Sequence, residues 1–248
     1  MKFKNKVCVI TGGSGGLGKA TALRLLDFGL KVILLDLYEP KYDVNSYTNL
    51  YFEKVNITEK VKVKNIFDTI YKKYGNIHIL INCAGIGHIE PTIKDNETHS
   101  YENFMRVINI NLVGTFLCCK YAAFYMKNNT LDEDNEKGVI INVASIAAME
   151  GTKGQIAYSA SKGGIVGMSM PMARDLGEYN IRVATIAPGP IDTGIKMADY
   201  AHKLKEMSVI KRFGYPKEFA MFATHIIENP YIIGSVLRMD GGLIKPNI

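Results

Sequence analysis

Ser145, Tyr158 thirteen residues later and Lys162 four residues beyond that carry three side chains that could share one piece of acid–base chemistry. Oxidising a secondary alcohol requires a base for the hydroxyl proton, and a free phenol with a pKa of about 10 is a poor phenolate source near neutrality. In "AYSASKGGIVGMSM" the apolar spacing is helical, so Tyr158 and Lys162 share one face, and the lysine ammonium favours the phenolate. A serine hydroxyl at the end of an apolar run, "GVIINVAS", can then hold the substrate oxygen. The spacing alone is weak: with 14 tyrosines and lysine at about a tenth of positions, about one Tyr-x-x-x-Lys pair arises by composition. A capping serine beside a surface Tyr/Lys pair is the alternative, and the rest of the sequence must decide.

A second group of residues bears on the hydride partner. "TGGSGGLG" follows the first apolar run, and its Gly12, Gly16 and Gly18 allow a tight turn and close approach of a pyrophosphate to the backbone. The helix that follows offers free N–H groups and the positive end of its dipole. Eighteen residues past Gly18, Asp36 ends the next run, where a carboxylate can accept both hydroxyls of an adenosine ribose. A 2'-phosphate there would be repelled by Asp36, and Gly13, Ser14 and Leu37 supply no compensating charge, so NAD is expected over NADP. Asn56, in "VNIT", is placed either to bond the adenine or to cap the helix expected near Glu59. In "INCAG", Asn82, Ala84 and Gly85 let backbone pass close to the ribose, or Asn82 bonds across the sheet.

Elements must bring these groups together. Short aliphatic or β-branched runs lie at 6–11, 31–36, 50–55, 77–82, 138–143, 181–187 and 235–239, with helically spaced stretches between them. The runs are nearly continuous in apolar residues, as strands buried on both faces are, which predicts a doubly wound α/β fold with a parallel seven-stranded sheet. With 248 residues, 47% of them apolar, and no linker or repeat, residues 1–248 read as one domain. No apolar run reaches the roughly 18 residues of a membrane span, and no cleaved targeting peptide is evident before "VCVIT". Cys8, Cys83, Cys118 and Cys119 form no CxxC pair and suit a reducing compartment. The net charge of +6 comes from scattered lysines, apart from a basic stretch between Lys196 and Arg212. The five histidines show no metal-ligand spacing, and the chemistry above needs no metal.

Taken together, "TGGSGGLG", "NCAG", "NLVGTF", Ser145, "YSASK" and "PGPIDT" resemble the short-chain dehydrogenase/reductases, in register over essentially the whole chain. The resemblance implies a single-domain Rossmann fold with a substrate lid at about 190–213. More narrowly, "GVIINVASIAAMEGTKGQIAYSASKGG", "IRVATIAPGP" and "IIENPYIIGSVLRMDGG" resemble the type 2 3-hydroxyacyl-CoA dehydrogenases, also described as 17β-hydroxysteroid dehydrogenase type 10. By resemblance, Asn111 holds a water that links Lys162 to solvent. Pro188, Gly189, Ile191 and Thr193 contact the nicotinamide, and Gln155 lines the substrate pocket. The implied NAD contacts also take in Ser14, Leu17, Ile57 and Cys83, besides Tyr158 and Lys162. Asn56 stands where the superfamily usually has aspartate, and Cys83 where it usually has asparagine.

The expected reaction is NAD-dependent interconversion of L-3-hydroxyacyl-CoA and 3-ketoacyl-CoA, with Lys203, Lys205, Lys211 or Arg212 meeting the CoA phosphates. Hydroxysteroids and acyl-carrier-protein ketones are alternative substrates. A non-catalytic role in mitochondrial tRNA processing is a further implication, for which no RNA-binding motif appears. The resemblance also implies a homotetramer built on helices at 101–127 and 158–178. It suggests the mitochondrial matrix, with the cytoplasm as alternative.

Overall fold

The computed structural model of the 248-residue chain describes residue 3, residues 5–194 and residues 205–243. Seven parallel strands coincide with the seven apolar runs: β1 (Val7–Thr11), β2 (Lys31–Asp36), β3 (Leu50–Lys54), β4 (Ile79–Asn82), β7 (Gly138–Val143), β8 (Ile181–Pro188) and β9 (Val236–Met239). They order as β3-β2-β1-β4-β7-β8-β9. The chain changes direction between β1 and β4, and in such sheets ligands lie above the carboxyl ends at that crevice. A small antiparallel pair, β5 (Ile93–Lys94) and β6 (Glu97–Thr98), occupies the polar stretch 87–100 that reads as a plain loop in the sequence.

The apolar runs are continuous because both sheet faces are covered. Val9, Ile33, Leu80 and Ile140 point to one face, against α2 (Lys60–Tyr74), α4 (Thr115–Met126) and α5 (Ile156–Gly177). Ile10, Leu34, Ile81 and Ile141 point to the other, against α1 (Gly16–Asp27) and α6 (Pro216–Glu228). A shorter helix, α3 (Tyr101–Ile108), runs through a π-helical segment, Asn109–Gly114, into α4. That rod, Tyr101–Met126, is long and apolar enough to cross a bilayer by length and composition, which inspection of apolar runs did not show. More than half of its most apolar window is buried inside the protein, as in a core helix.

A polar row crosses the sheet one layer below the site. Thr11, Asn82, Asn142 and Thr185 are register partners on β1, β4, β7 and β8. Asn82 Nδ2 donates to Asn142 Oδ1 at 2.9 Å, and the Thr185 hydroxyl pairs at 2.6 Å with Ser169 of α5. Asn82 thus bonds across the sheet through side chains, and the row anchors α5, the helix that carries Tyr158 and Lys162. Buried polar groups are tolerated when they are paired, and most of this row is, the Asn142 Nδ2 being the exception.

At the opposite end of β8, Arg182 is 2% exposed. Its guanidinium donates to Glu136 and to the carbonyls of Ile226, Ile227 and Ile232, closing the last turn of α6. Nearby, His78 Nδ1 accepts the Val7 N–H at 3.1 Å, which requires an unprotonated nitrogen. Burial, then the neighbouring Lys6 charge, lowers its pKa from 6.5 to about 4. Between those values the unfolded chain binds the proton and the native protein does not, so stability is full above pH 6.5 and declines as pH falls toward 4. The urea midpoint is therefore expected to fall from pH 7 to pH 5, and His78→Gln should flatten that slope. An unchanged slope in the variant would assign it to other groups.

Candidate functional site

The glycine loop is shaped by close approach. Gly12 has φ of +65°, and a Cβ there would stand 2.6 Å from Ala84 N; one on Gly16 would stand 2.8 Å from Thr193 Cβ. A Cβ on Gly18 would run into the Gly12 carbonyl. Glycine is required here by packing within the chain, and the cradle left above it is lined by backbone. Its N-cap, Gly15, makes no side-chain bond to the first turn of α1, which also contains no acidic residue, so that turn suits an anion. Leu17 lies in that turn and packs against the apolar core.

Asp36, at the end of β2, is pinned beside this loop. Its Oδ2 accepts the Ser14 N–H at 3.0 Å and its Oδ1 the Tyr38 N–H at 3.2 Å, while the Ser14 hydroxyl donates to Tyr38 O at 2.7 Å. A carboxylate offers about four lone-pair positions, so two remain for a pair of ribose hydroxyls. Asn56 behaves as a local turn residue: its Oδ1 accepts both the Thr58 N–H (3.1 Å) and the Thr58 hydroxyl (2.9 Å), ahead of α2. That occupies the acceptor which the sequence offered to the adenine. Ile57 is buried against Gly114 of the π-helical segment. Cys83, Ala84 and Gly85 follow β4; burial pushes the Cys83 thiol up to about 12, so it is no nucleophile at neutral pH.

The acid–base group assembles from β7 and α5. Ser145 follows β7 in extended backbone and caps a short 3-10 turn, its Oγ accepting the Ala147 N–H at 3.1 Å. It is therefore a capping serine, and its hydroxyl is close enough to the Tyr158 side chain, in the first turn of α5, to favour the phenolate. One turn on, the buried Lys162 Nζ donates to Val143 O at 2.7 Å and lies 5.8 Å from the Tyr158 ring centroid. The Asn111 carboxamide clamps the backbone of Ile86, accepting its N–H at 2.8 Å and donating to its carbonyl at 2.9 Å. Gly85 separates Asn111 from Lys162: a Cβ there would be 3.2 Å from Asn111 Oδ1 and 3.4 Å from Lys162 Nζ. π-Helical turns concentrate at functional sites, and this one sets Asn111 inward.

Electrostatics depart from the expectation in one respect. The sequence predicts a phenol made more acidic by Lys162, whereas burial raises the Tyr158 pKa and the Ser145 bond only partly opposes it. The Lys162 ammonium is turned to the Val143 carbonyl, and burial lowers its own pKa to about 8.

The remaining residues frame the crevice. Pro188 ends β8, Gly189 N donates to Met239 O, and Ile191 bridges to Gly214, which carries Thr193 across the glycine loop. Gln155 precedes α5, its Oε1 accepting the Thr152 N–H at 2.9 Å, and it lines a cleft of about 490 Å³ with Thr92, Ile93 and Lys153. Sequence reasoning missed Ser161, although it lies within "YSASK": buried, it receives a bond from Asn111 Nδ2 at 3.0 Å and donates to Tyr158 O at 2.7 Å. Of the basic stretch, Lys196 and Lys203 lie outside the described residues, as do residues 195–204 of the lid expected at about 190–213. Arg212 is engaged by Glu218 at 2.6 and 2.9 Å, which neutralises the charge expected to meet a CoA phosphate. Lys211 bonds the Glu206 carbonyl, and Lys205 sits over the Phe213 ring.

A backbone anion cradle at the switch point of a doubly wound parallel sheet, beside a Ser/Tyr/Lys group, defines an α/β enzyme of the dinucleotide-binding class. Residues 6–204 match the family model described as short chain dehydrogenase, and the chain belongs to that family; it is an oxidoreductase. It is 42% identical to 3-hydroxyacyl-CoA dehydrogenase type-2 of Rattus norvegicus, over 97% of this chain and 95% of that protein. The human protein of the same name is 41% identical with the same coverage. A crystal structure of 3-hydroxyacyl-CoA dehydrogenase type-2 from Mycobacterium avium superposes with a TM-score of 0.91 at 32% identity, covering both chains completely.

Proposed function

We propose that the protein interconverts L-3-hydroxyacyl-CoA and 3-ketoacyl-CoA with NAD as hydride partner. The arrangement that supports the reaction is Ser145 at the end of β7 beside Tyr158 in the first turn of α5, with Lys162 Nζ 5.8 Å from the Tyr158 ring centroid; the relatives named above support the substrate. Gly12, Ser14, Gly16, Leu17 and Gly18 would hold the pyrophosphate, Asp36 the adenosine ribose, and Thr193 the nicotinamide end. When bound, that cofactor gives or takes the hydride. In the reducing direction Ser145 Oγ holds the carbonyl oxygen, and Tyr158, protonated near neutrality as an ordinary phenol is, delivers its proton to it. Lys162 stabilises the phenolate that results, and we place its reprotonation path along Lys162 and Asn111. In the oxidising direction the same phenol must first lose its proton, so that rate should rise with pH.

Coenzyme binding and substrate are tested together by following nucleotide consumption with acetoacetyl-CoA. NADH should be consumed at least about tenfold more efficiently than NADPH, and Asp36→Ala should raise the KM for NADH about tenfold, the worth of one charge-assisted hydrogen-bond pair. Equal use of NADPH by the wild type would remove Asp36 from the ribose. Bound NADH with no turnover of acetoacetyl-CoA would overturn the acyl-CoA assignment.

We further propose a mitochondrial location and a homotetramer. Phe116 (45%) and Phe124 (54%) on α4 are exposed, as a face covered by a second copy would be. On α5, Gly164 packs on Leu112 within the subunit, while a Cβ on Gly167 would meet open space.

A further inference from the structure

Three side chains that the reaction does not use converge at the end of the loop after β4. His88 Nε2 lies 2.7 Å from Glu90 Oε2, and His99 Nε2 lies 3.8 Å from the same oxygen. One donor atom from each residue falls within 4.8 Å of the other two. Both histidines are held at an edge-to-face angle of 89°, with ring centroids 5.9 Å apart.

Hydrogen bonding accounts for His88 but not for His99. The His99 side chain is 9% exposed, and its Nδ1 lies 2.9 Å from the Glu90 carbonyl oxygen, which can only accept. Nδ1 therefore carries the hydrogen, and in the neutral ring Nε2 presents a bare lone pair. That nitrogen is buried and has no hydrogen-bond partner. It faces a carboxylate oxygen, so two acceptors confront each other across a gap too long for a hydrogen bond. A cation between them would resolve the conflict.

The surrounding bonds are those that orient metal ligands. A backbone carbonyl fixes the His99 tautomer, and Glu90 is steadied by the Ser100 N–H on Oε1 (2.7 Å) and Asn103 Nδ2 on Oε2 (3.1 Å). These contacts hold the carboxyl ionised: the His88 bond first, then the Ser100 N–H, lower its pKa to about 2. Two imidazoles and one carboxylate form the ligand set that zinc shares with similar borderline ions, and tetrahedral zinc spaces its donors roughly 3.3 Å apart. Each histidine nitrogen would reach that spacing from Glu90 Oε2 through a shift of less than about an ångström.

We propose that His88, Glu90 and His99 form a binding site for a divalent transition-metal ion, zinc by its chemistry, separate from the reacting groups. Its structural effect follows from one contact: the Glu90 N–H donates to Gly154 O at 2.8 Å. The bound ion joins the segment 88–99 to the start of α3 and stiffens the wall of the cleft beside Gln155. A fourth coordination position is left to solvent.

The test is metal binding by the full-length chain, independent of catalysis. After chelator treatment, the protein is titrated with zinc and, separately, with cobalt(II) as the spectroscopic probe. One equivalent should bind at micromolar or lower concentration, cobalt should show the visible bands of a four- or five-coordinate ion, and zinc should raise the Tm. His88→Ala and His99→Gln should each weaken binding at least tenfold, with circular dichroism and NADH affinity preserved. Failure to bind a stoichiometric ion would overturn the site, leaving His99 as a protonated partner of Glu90. Binding that survives both substitutions would also overturn it and would place the metal elsewhere, for example at the acidic group Asp132, Asp134 and Glu136.

Discussion

Tyr158→Phe is expected to lower kcat by about 10³–10⁴-fold, or roughly 4–5.5 kcal/mol of transition-state stabilisation, with little change in NADH affinity. The substitution deletes one oxygen from a ring whose place in the first turn of α5 is set by helix packing, so the cradle and the serine remain. Among the described residues, neither Lys162 nor Ser145 replaces the proton: Lys162 is committed to the Val143 carbonyl, and Ser145, a cap for the Ala147 N–H, is far too weak an acid. Because the phenol acts only on the reacting oxygen, the loss should appear in kcat more than in KM. Stopped-flow or steady-state rates with acetoacetyl-CoA, beside fluorescence titration of NADH, separate the two. A variant retaining a tenth or more of the wild-type kcat would remove Tyr158 from proton transfer, and the Ser/Tyr/Lys geometry would then be a capping arrangement alone.

Arg182→Ala should destabilise the fold by about 3–5 kcal/mol, the usual consequence of removing one member of a buried ion pair. Arg182 and Glu136 are 2% and 7% exposed, so the carboxylate left behind cannot regain bulk solvation. The same substitution withdraws the donors from the Ile226, Ile227 and Ile232 carbonyls, so the last turn of α6 loses its closure as well as the charge pair. At roughly 2–4 °C per kcal/mol for a chain of this size, the Tm should fall by about 10 °C, with a parallel loss in the urea midpoint. Arg182→Met combined with Glu136→Gln should recover part of it, because no buried charge remains. If the single and double variants melt alike, the pair is a minor contributor and the carbonyl bonds carry the effect. The site is at the other end of β8, so specific activity below the transition should be unchanged.

These two expectations differ in how far the sequence alone could have reached them. Tyr158 was legible because its signals are local: the helical spacing to Lys162, the glycines after β1 and the carboxylate after β2 all follow from short-range backbone chemistry. The strands were legible for a related reason, since a strand covered on both faces must be apolar at every position, and that pattern survives in the linear chain. Arg182 was not, because its partners Glu136 and Ile226 lie 46 and 44 residues away and nothing in "IRVATIAP" announces a buried charge.

What the sequence by itself determined is therefore the identity of the strands, the glycine loop after β1, the acidic end of β2 and the Ser145, Tyr158 and Lys162 group. Strand order and helix packing decided the rest. The Thr11–Asn82–Asn142–Thr185 row exists only because β1, β4, β7 and β8 are neighbours. Burial, which no spacing reveals, raises the Tyr158 pKa and lowers that of Lys162 to about 8. The β5–β6 hairpin folded His99 back onto Glu90 and His88, giving three residues without metal-ligand spacing a shared centre, because a turn between paired strands sets distance in space independently of distance along the chain.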